Sequence, residues 1–179
     1  MTLVSELPFH PVGGQPAFQP AHLEAFVAQR RVAVLAYLRS DGRPHQVPIW
    51  YTYKAGTFWM SSVTDSPKHR ALLRDPRVSL TIQDEAPPYR AVVLEGNVAL
   101  TSLDPSSDPT EGVAVRYFGR VAAHEYHKMT ADLYEQAGLT LMALTPSAIR
   151  GFDNRRALGR PSRAFVAVRN RLPFPRRWL

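Results

Sequence analysis

The chain has 179 residues, 45% of them hydrophobic, which allows one domain with a buried core and excludes wholesale disorder. It contains no cysteine, so disulfides, thiolate metal sites and cysteine nucleophiles are excluded together. The net charge of +7 is local: residues 150–179 carry nine arginines against Asp153 alone, and the remaining residues are close to neutral, which speaks against a nucleic-acid-binding body.

The first nineteen residues include Pro8, Pro11, Gly13, Gly14 and Pro16 and read as an irregular arm. Pro20 opens a short helix with Leu23, Phe26, Val27 and Arg30 at helical spacing. Val32–Leu38 is an apolar run of strand length, far short of the roughly 20 residues that span a bilayer. The N-terminus lacks a basic region followed by an apolar run, so a soluble cytoplasmic protein is expected. Ser40-Asp41-Gly42 turns the chain into a second strand, Arg43–Tyr53, with Val47, Ile49, Tyr51 and Tyr53 on one face. Ala55-Gly56 leads to a third, Thr57–Ser62, and the three are expected to form an antiparallel meander.

Ser66-Pro67 has the chemistry of a helix N-cap and first turn, and Asp75-Pro76 ends that helix. Strands follow at 77–82 and 91–100, separated by a loop with Pro87-Pro88. A polar loop at 101–110, helical sequence from about Glu111 to Ala137 and a sixth strand at Leu139–Leu144 complete the body. Short strands without β-α-β alternation predict a mainly β protein, a closed antiparallel barrel with flanking helices. The organisation expected is an arm (1–19), a barrel domain (20–154) and a basic tail (155–179).

The sequence has no Gly-x-Gly-x-x-Gly, no phosphate loop and no Gly-x-Ser-x-Gly elbow. His124, Glu125 and His127 lack metalloprotease spacing and read as a solvated helix face, so no metal is expected. Two segments carry chemistry. Pro48 cannot donate a ladder hydrogen bond, so its strand is an edge or opens towards a ligand, and a flat heterocycle could lie against Trp50. Ser61, Ser62, Thr64, Ser66 and Lys68 gather at a strand end and helix start, where amides, hydroxyls and an ammonium suit a phosphate. Each alone is matched by a bland reading, a barrel edge or a capped surface helix. Together they favour a ligand with a flat ring and a phosphate.

Three blocks, Asp41–Tyr51, Asp65–Leu80 and Pro88–Gly96, resemble the pyridoxamine 5'-phosphate oxidase-like superfamily, and most closely its deazaflavin (coenzyme F-420)-dependent oxidoreductase branch. The resemblance covers roughly 21–154. It implies a six-stranded Greek-key split β-barrel, a homodimer, and cofactor sites between subunits. Gln46, Val47, Pro48, Ile49 and Trp50 match the segment facing the flavin-like ring. Ser61, Ser62, Thr64 and Lys68 match the phosphate segment, and Tyr89 and Arg90 match a loop that reaches the site from the partner. Pyridoxamine-phosphate oxidases have Arg-Lys where this chain has Pro67-Lys68, which argues against vitamin B6 oxidation.

The expected activity is reduction of a small organic acceptor by non-covalently bound reduced F-420. FMN is the alternative cofactor, and a carrier of cofactor or tetrapyrrole without turnover is the alternative class. No side chain stands out as an obligatory acid or base; Tyr89, Tyr51 and His45 are the candidates. The tail mixes arginines with Phe165, Val166, Val168, Leu172, Phe174 and Trp178. It is open to packing on the body, to contact with an anionic membrane surface, or to a simple basic end.

Overall fold

A computed structural model describes residues 2–103 and 113–170. Most of the loop expected at 101–110, the helix start expected near Glu111, and the tail residues Leu172, Phe174 and Trp178 lie outside the described residues. The strands are β1 (Phe9–Pro11), β2 (Ala33–Leu38), β3 (Pro44–Ile49), β4 (Thr52–Lys54), β5 (Thr57–Val63), β6 (Arg77–Gln83), β7 (Arg90–Ser102), β8 (Leu139–Leu144) and β9 (Ala148–Asp153). The helices are α1 (Pro20–Val27), α2 (Pro67–Arg74), α3 (Val113–Phe118), α4 (Arg120–Ala137) and α5 (Arg160–Arg169).

The strands form one curled sheet in the order β3-β2-β6-β7-β8-β5-β4, with the non-sequential neighbours of a Greek-key arrangement. Every ladder is antiparallel except that of β1 on β9. The fold is therefore the mainly β barrel with flanking helices that the strand pattern predicts. Among the described residues it has nine strands rather than six. The arm supplies β1, Ala148–Asp153 supplies β9, and the expected Arg43–Tyr53 strand is divided into β3 and β4.

That division replaces the expected meander. β3 pairs with β2, and β4 pairs with β5, so consecutive strands of one run lie at opposite ends of the ladder order. The chain turns this corner at Trp50-Tyr51 without losing its alternation: Ile49 and Tyr51 are buried, and Val47 and Tyr53 pack against the same core. Leaving a ladder frees backbone groups that must find other partners. Tyr117 Oη accepts from the Tyr51 N–H at 3.3 Å and donates to the Arg31 carbonyl at 2.5 Å. The Tyr51 hydroxyl donates to the Val27 carbonyl at 2.8 Å and lies 3.2 Å from the Gln29 carbonyl, where α1 ends.

β7, at 13 residues, organises the rest. One edge carries β6, while the other carries β9 along 90–95 and then β8 along 98–102. Gly151 lets β9 lie close to β7, since a Cβ there would sit 2.2 Å from the Ala91 carbonyl oxygen. The arm belongs to the body. Val4 is fully buried, Ser5 N–H donates to Glu24 Oε1 at 2.8 Å, and Phe9 meets Phe18, which meets Phe26. Gly119, with φ of +78°, divides the expected long helix into α3 and α4. Residues 160–169 of the tail are helical, with Phe165 and Val168 exposed, and Asn170 Nδ2 donates to the Pro87 carbonyl at 2.7 Å.

Tyr51→Phe is expected to leave the α1 end without its buried donor and to cost about 1–3 kcal/mol. At about 2–4 °C per kcal/mol for a chain of this size, the melting temperature should fall by several degrees, readable by thermal unfolding.

Candidate cofactor site

The two segments singled out in the sequence converge on one cavity of about 640 Å³. Its walls include Val47, Pro48, Ile49 and Trp50 from β3 and the corner, Ser61 and Ser62 from β5, and Ser66, Pro67 and Lys68 from the start of α2. β3 ends the ladder order, so the strand that lacks the Pro48 N–H is an edge whose outer side faces ligand space.

Local chemistry builds the α2 end. The Ser66 Oγ accepts from the His69 N–H at 3.2 Å and lies 3.1 Å from Ser62 Oγ, so the N-cap and the strand end share one hydroxyl pair. His69 is buried, and its Nδ1 accepts from the Asp65 N–H at 3.0 Å, which fixes the turn before the helix. Burial holds the Lys68 ammonium below the usual lysine range. A half-buried cation beside hydroxyls and a helix start is a donor set suited to a phosphate. A cavity wall made by a proline-bearing strand edge suits a flat heterocycle. The residues present thus fit a phosphate-bearing flavin or deazaflavin.

Other sequence candidates are distributed differently. His45 lines the cavity and meets Tyr37 edge-on at 5.4 Å. Gln46 is exposed on β3 and is not on the cavity wall. Thr64 turns to Thr140, with Oγ1 atoms 2.9 Å apart. Tyr51 is fully buried, and burial pushes its hydroxyl far above the ordinary tyrosine range, so it serves the core. Tyr89 is exposed on the Pro87-Pro88 loop. Arg90 is held by Asp84 at 2.5 and 3.0 Å and lies over the Phe26 ring, away from this cavity in the same chain. Among the described residues no cluster of ligating side chains could hold a metal ion, and no helix is long and apolar enough to cross a membrane.

Trp50 is less open than the sequence suggests. Its ring stacks on Tyr117 at 5.1 Å and 16°, and Phe118 and Tyr126 approach it at 4.9 and 5.5 Å. Sequence reasoning missed the helical wall that does this. Tyr126 and Tyr134 both line the cavity with hydroxyls 2.9 Å apart, and burial followed by that hydrogen bond pushes Tyr126 up to about 12. Their spacing of eight residues, two turns of one helix face, was the available signal.

The chain belongs to the pyridoxamine 5'-phosphate oxidase family, whose profile matches residues 19–158. It is a split barrel of a family of flavin- and deazaflavin-dependent oxidoreductases. Among individual relatives, the F-420H(2)-dependent biliverdin reductase of Mycobacterium tuberculosis (strain CDC 1551 / Oshkosh) is 31% identical over 94 residues, covering 52% of this chain and 68% of that protein. A conserved hypothetical protein of Mycobacterium tuberculosis superposes with a TM-score of 0.64 at 25% identity, over 82% of this chain and 92% of the other. A structure described as an F-420 reductase gives 0.56 at 21% identity, over 70% and 94%, and shows the shared fold.

The Lys68 charge is disfavoured by the fold, so removing it should stabilise the cofactor-free protein. The penalty is fully present below the folded-state pKa and is relieved as pH rises from there towards the unfolded value of about 10.4. Lys68→Met should therefore raise the melting temperature at pH 7, with a gain that shrinks in alkaline buffer.

Proposed function

We propose that this protein is an oxidoreductase that uses non-covalently bound reduced coenzyme F-420 to reduce a small organic acceptor, and that it acts as a homodimer. The observation carrying the reading is the convergence of the β3 edge and the Ser62–Ser66–Lys68 helix start on one cavity. The F-420-dependent relative at 31% identity supports the deazaflavin over FMN. Exposed Val121, Met129 and Leu133 on α4 supply an apolar face for a second copy. In that dimer the loop bearing Tyr89 is proposed to approach the partner's cavity.

A bound deazaflavin supplies the two-electron chemistry. The protein's part is to hold and orient. Ser62, Ser66 and Lys68 anchor the phosphate end, and the β3 edge from Val47 to Ile49 aligns the ring. Tyr126 stays protonated at neutral pH and, with Tyr134 and His45, offers hydrogen bonds to an acceptor oxygen at the cavity wall. The Trp50–Tyr117–Phe118–Tyr126 cluster limits water on that side.

The absorption spectrum of the purified protein, followed by titration with F-420 and FMN at equal salt, tests the cofactor. F-420 is expected to bind more tightly, and Lys68→Ala to weaken it tenfold or more, since a charge-assisted hydrogen bond is worth about 1.5–3 kcal/mol. Stoichiometric FMN with no F-420 binding would replace the deazaflavin. Tight cofactor binding without reduction of any trial acceptor would favour a carrier.

A further inference from the structure

We propose that a second cavity, separated from the cofactor site by Val32 and the Tyr117–Trp50 stack, binds a carboxylate of the acceptor. The proposal rests on the oxidoreductase reading above. Val32 lines both cavities, and Tyr117, which lines the second, stacks on Trp50, which lines the first. The two spaces are therefore a side chain's thickness apart. The second has a volume of about 820 Å³, within the range of small-molecule sites.

Its polar lining is unbalanced. Arg30, Arg31, Arg90 and Arg155 face it against Asp84 and Glu85. Asp84 is already taken: its carboxylate lies 2.5 Å from Arg31 Nη2 and receives two hydrogen bonds from Arg90. The Arg31 and Arg90 guanidiniums both sit over the Phe26 ring, at 4.6 and 4.5 Å, so two cations are held in place around one counter-ion. Arg31 Nε is buried without a hydrogen-bond partner. Arg30 is exposed and donates to the Arg116 carbonyl at 3.2 Å, a neutral partner. Arg155 is occupied by Asp153.

A half-enclosed space with surplus guanidinium charge attracts anions, and guanidinium geometry matches a carboxylate. Pro87 and Pro88 add an apolar wall, and the Asn170 hydrogen bond to Pro87 ties the end of α5 to the rim. An acceptor whose acid end is fixed here presents its other end across Val32 to the cofactor cavity, which converts diffusion into orientation. Carboxylates could also come from the oligoglutamate chain of F-420, so the test separates the two sources.

Calorimetric titration of the full chain with 1-naphthoate and with the uncharged 1-naphthamide reads the site without turnover. Naphthoate should bind at least tenfold more tightly than naphthamide. Arg30→Gln should cost naphthoate about tenfold and leave naphthamide binding and the melting temperature unchanged. Equal affinity for acid and amide, or no effect of Arg30→Gln on naphthoate, overturns the carboxylate site. The titration is repeated with whichever of F-420 or FMN binds. Retained naphthoate binding supports an acceptor site, while its loss on loading F-420 gives the cavity to the cofactor's own chain and overturns the assignment. If neither cofactor binds, the oxidoreductase reading falls and takes the acceptor with it. The naphthoate measurement on the free chain still reports on the arginines.

Discussion

The arrangement of this barrel depends on how the chain leaves one ladder and joins another at Trp50-Tyr51. A strand that changes partners exposes amides and carbonyls in the protein interior, where an unpaired group costs about 1–3 kcal/mol. Two tyrosine hydroxyls meet that cost. Tyr117 bridges the Tyr51 amide and the Arg31 carbonyl, and Tyr51 in turn serves the carbonyls at the end of α1. The corner, the first helix and the α3 helix are thereby fastened at one point. Because β3 and β4 can then lie at opposite ends of the ladder order, the sheet curls, and the outer edge of β3 is left facing ligand space.

The same fastening divides the ligand space. Tyr117 reaches the corner from α3, so its ring and Val32 stand between a cavity built for a ring and phosphate and a cavity dominated by guanidinium groups. The two ends have different electrostatics. Among the described residues lining the first cavity, the one lysine or arginine is Lys68 at the start of α2, penalised by burial, with hydroxyls around it. On the other side several arginines are held rigidly by Phe26, Asp84 and Asp153. A site that stores an unfavourable lysine charge is less stable empty than it could be, the usual relation between a prepared binding site and the fold that carries it.

Local chemistry was read well from the sequence wherever it is decided within a few residues. Ser66 as the N-cap, Pro67 in the first turn, the strand limits of Leu139–Leu144, and the burial alternation through Val47, Ile49, Tyr51 and Tyr53 all depend on dihedral preferences and side-chain period. Two of the three blocks that resemble the family, Asp41–Tyr51 and Asp65–Leu80, overlap these stretches and hold the two halves of the candidate site. β1 and β9 escaped because their signals are short and rich in Pro or Gly. Each becomes a strand only through pairing with residues far away in the sequence.

What the sequence determined by itself was the barrel class, the family, the helix start that suits a phosphate and the edge strand that suits a ring. The tertiary structure alone decided which candidates share a space. Tyr51 faces inward to the α1 carbonyls, Thr64 turns to Thr140, and Arg90 is claimed by Asp84, while Tyr126 and Tyr134 arrive from a helix that reads as merely polar. The reason is physical. Residue type and spacing fix what a side chain can do, but its partners are fixed by which strands pair. In this chain that pairing turns on a corner at Trp50-Tyr51 whose stabilising hydroxyl comes from Tyr117, 66 residues away from the amide it accepts from.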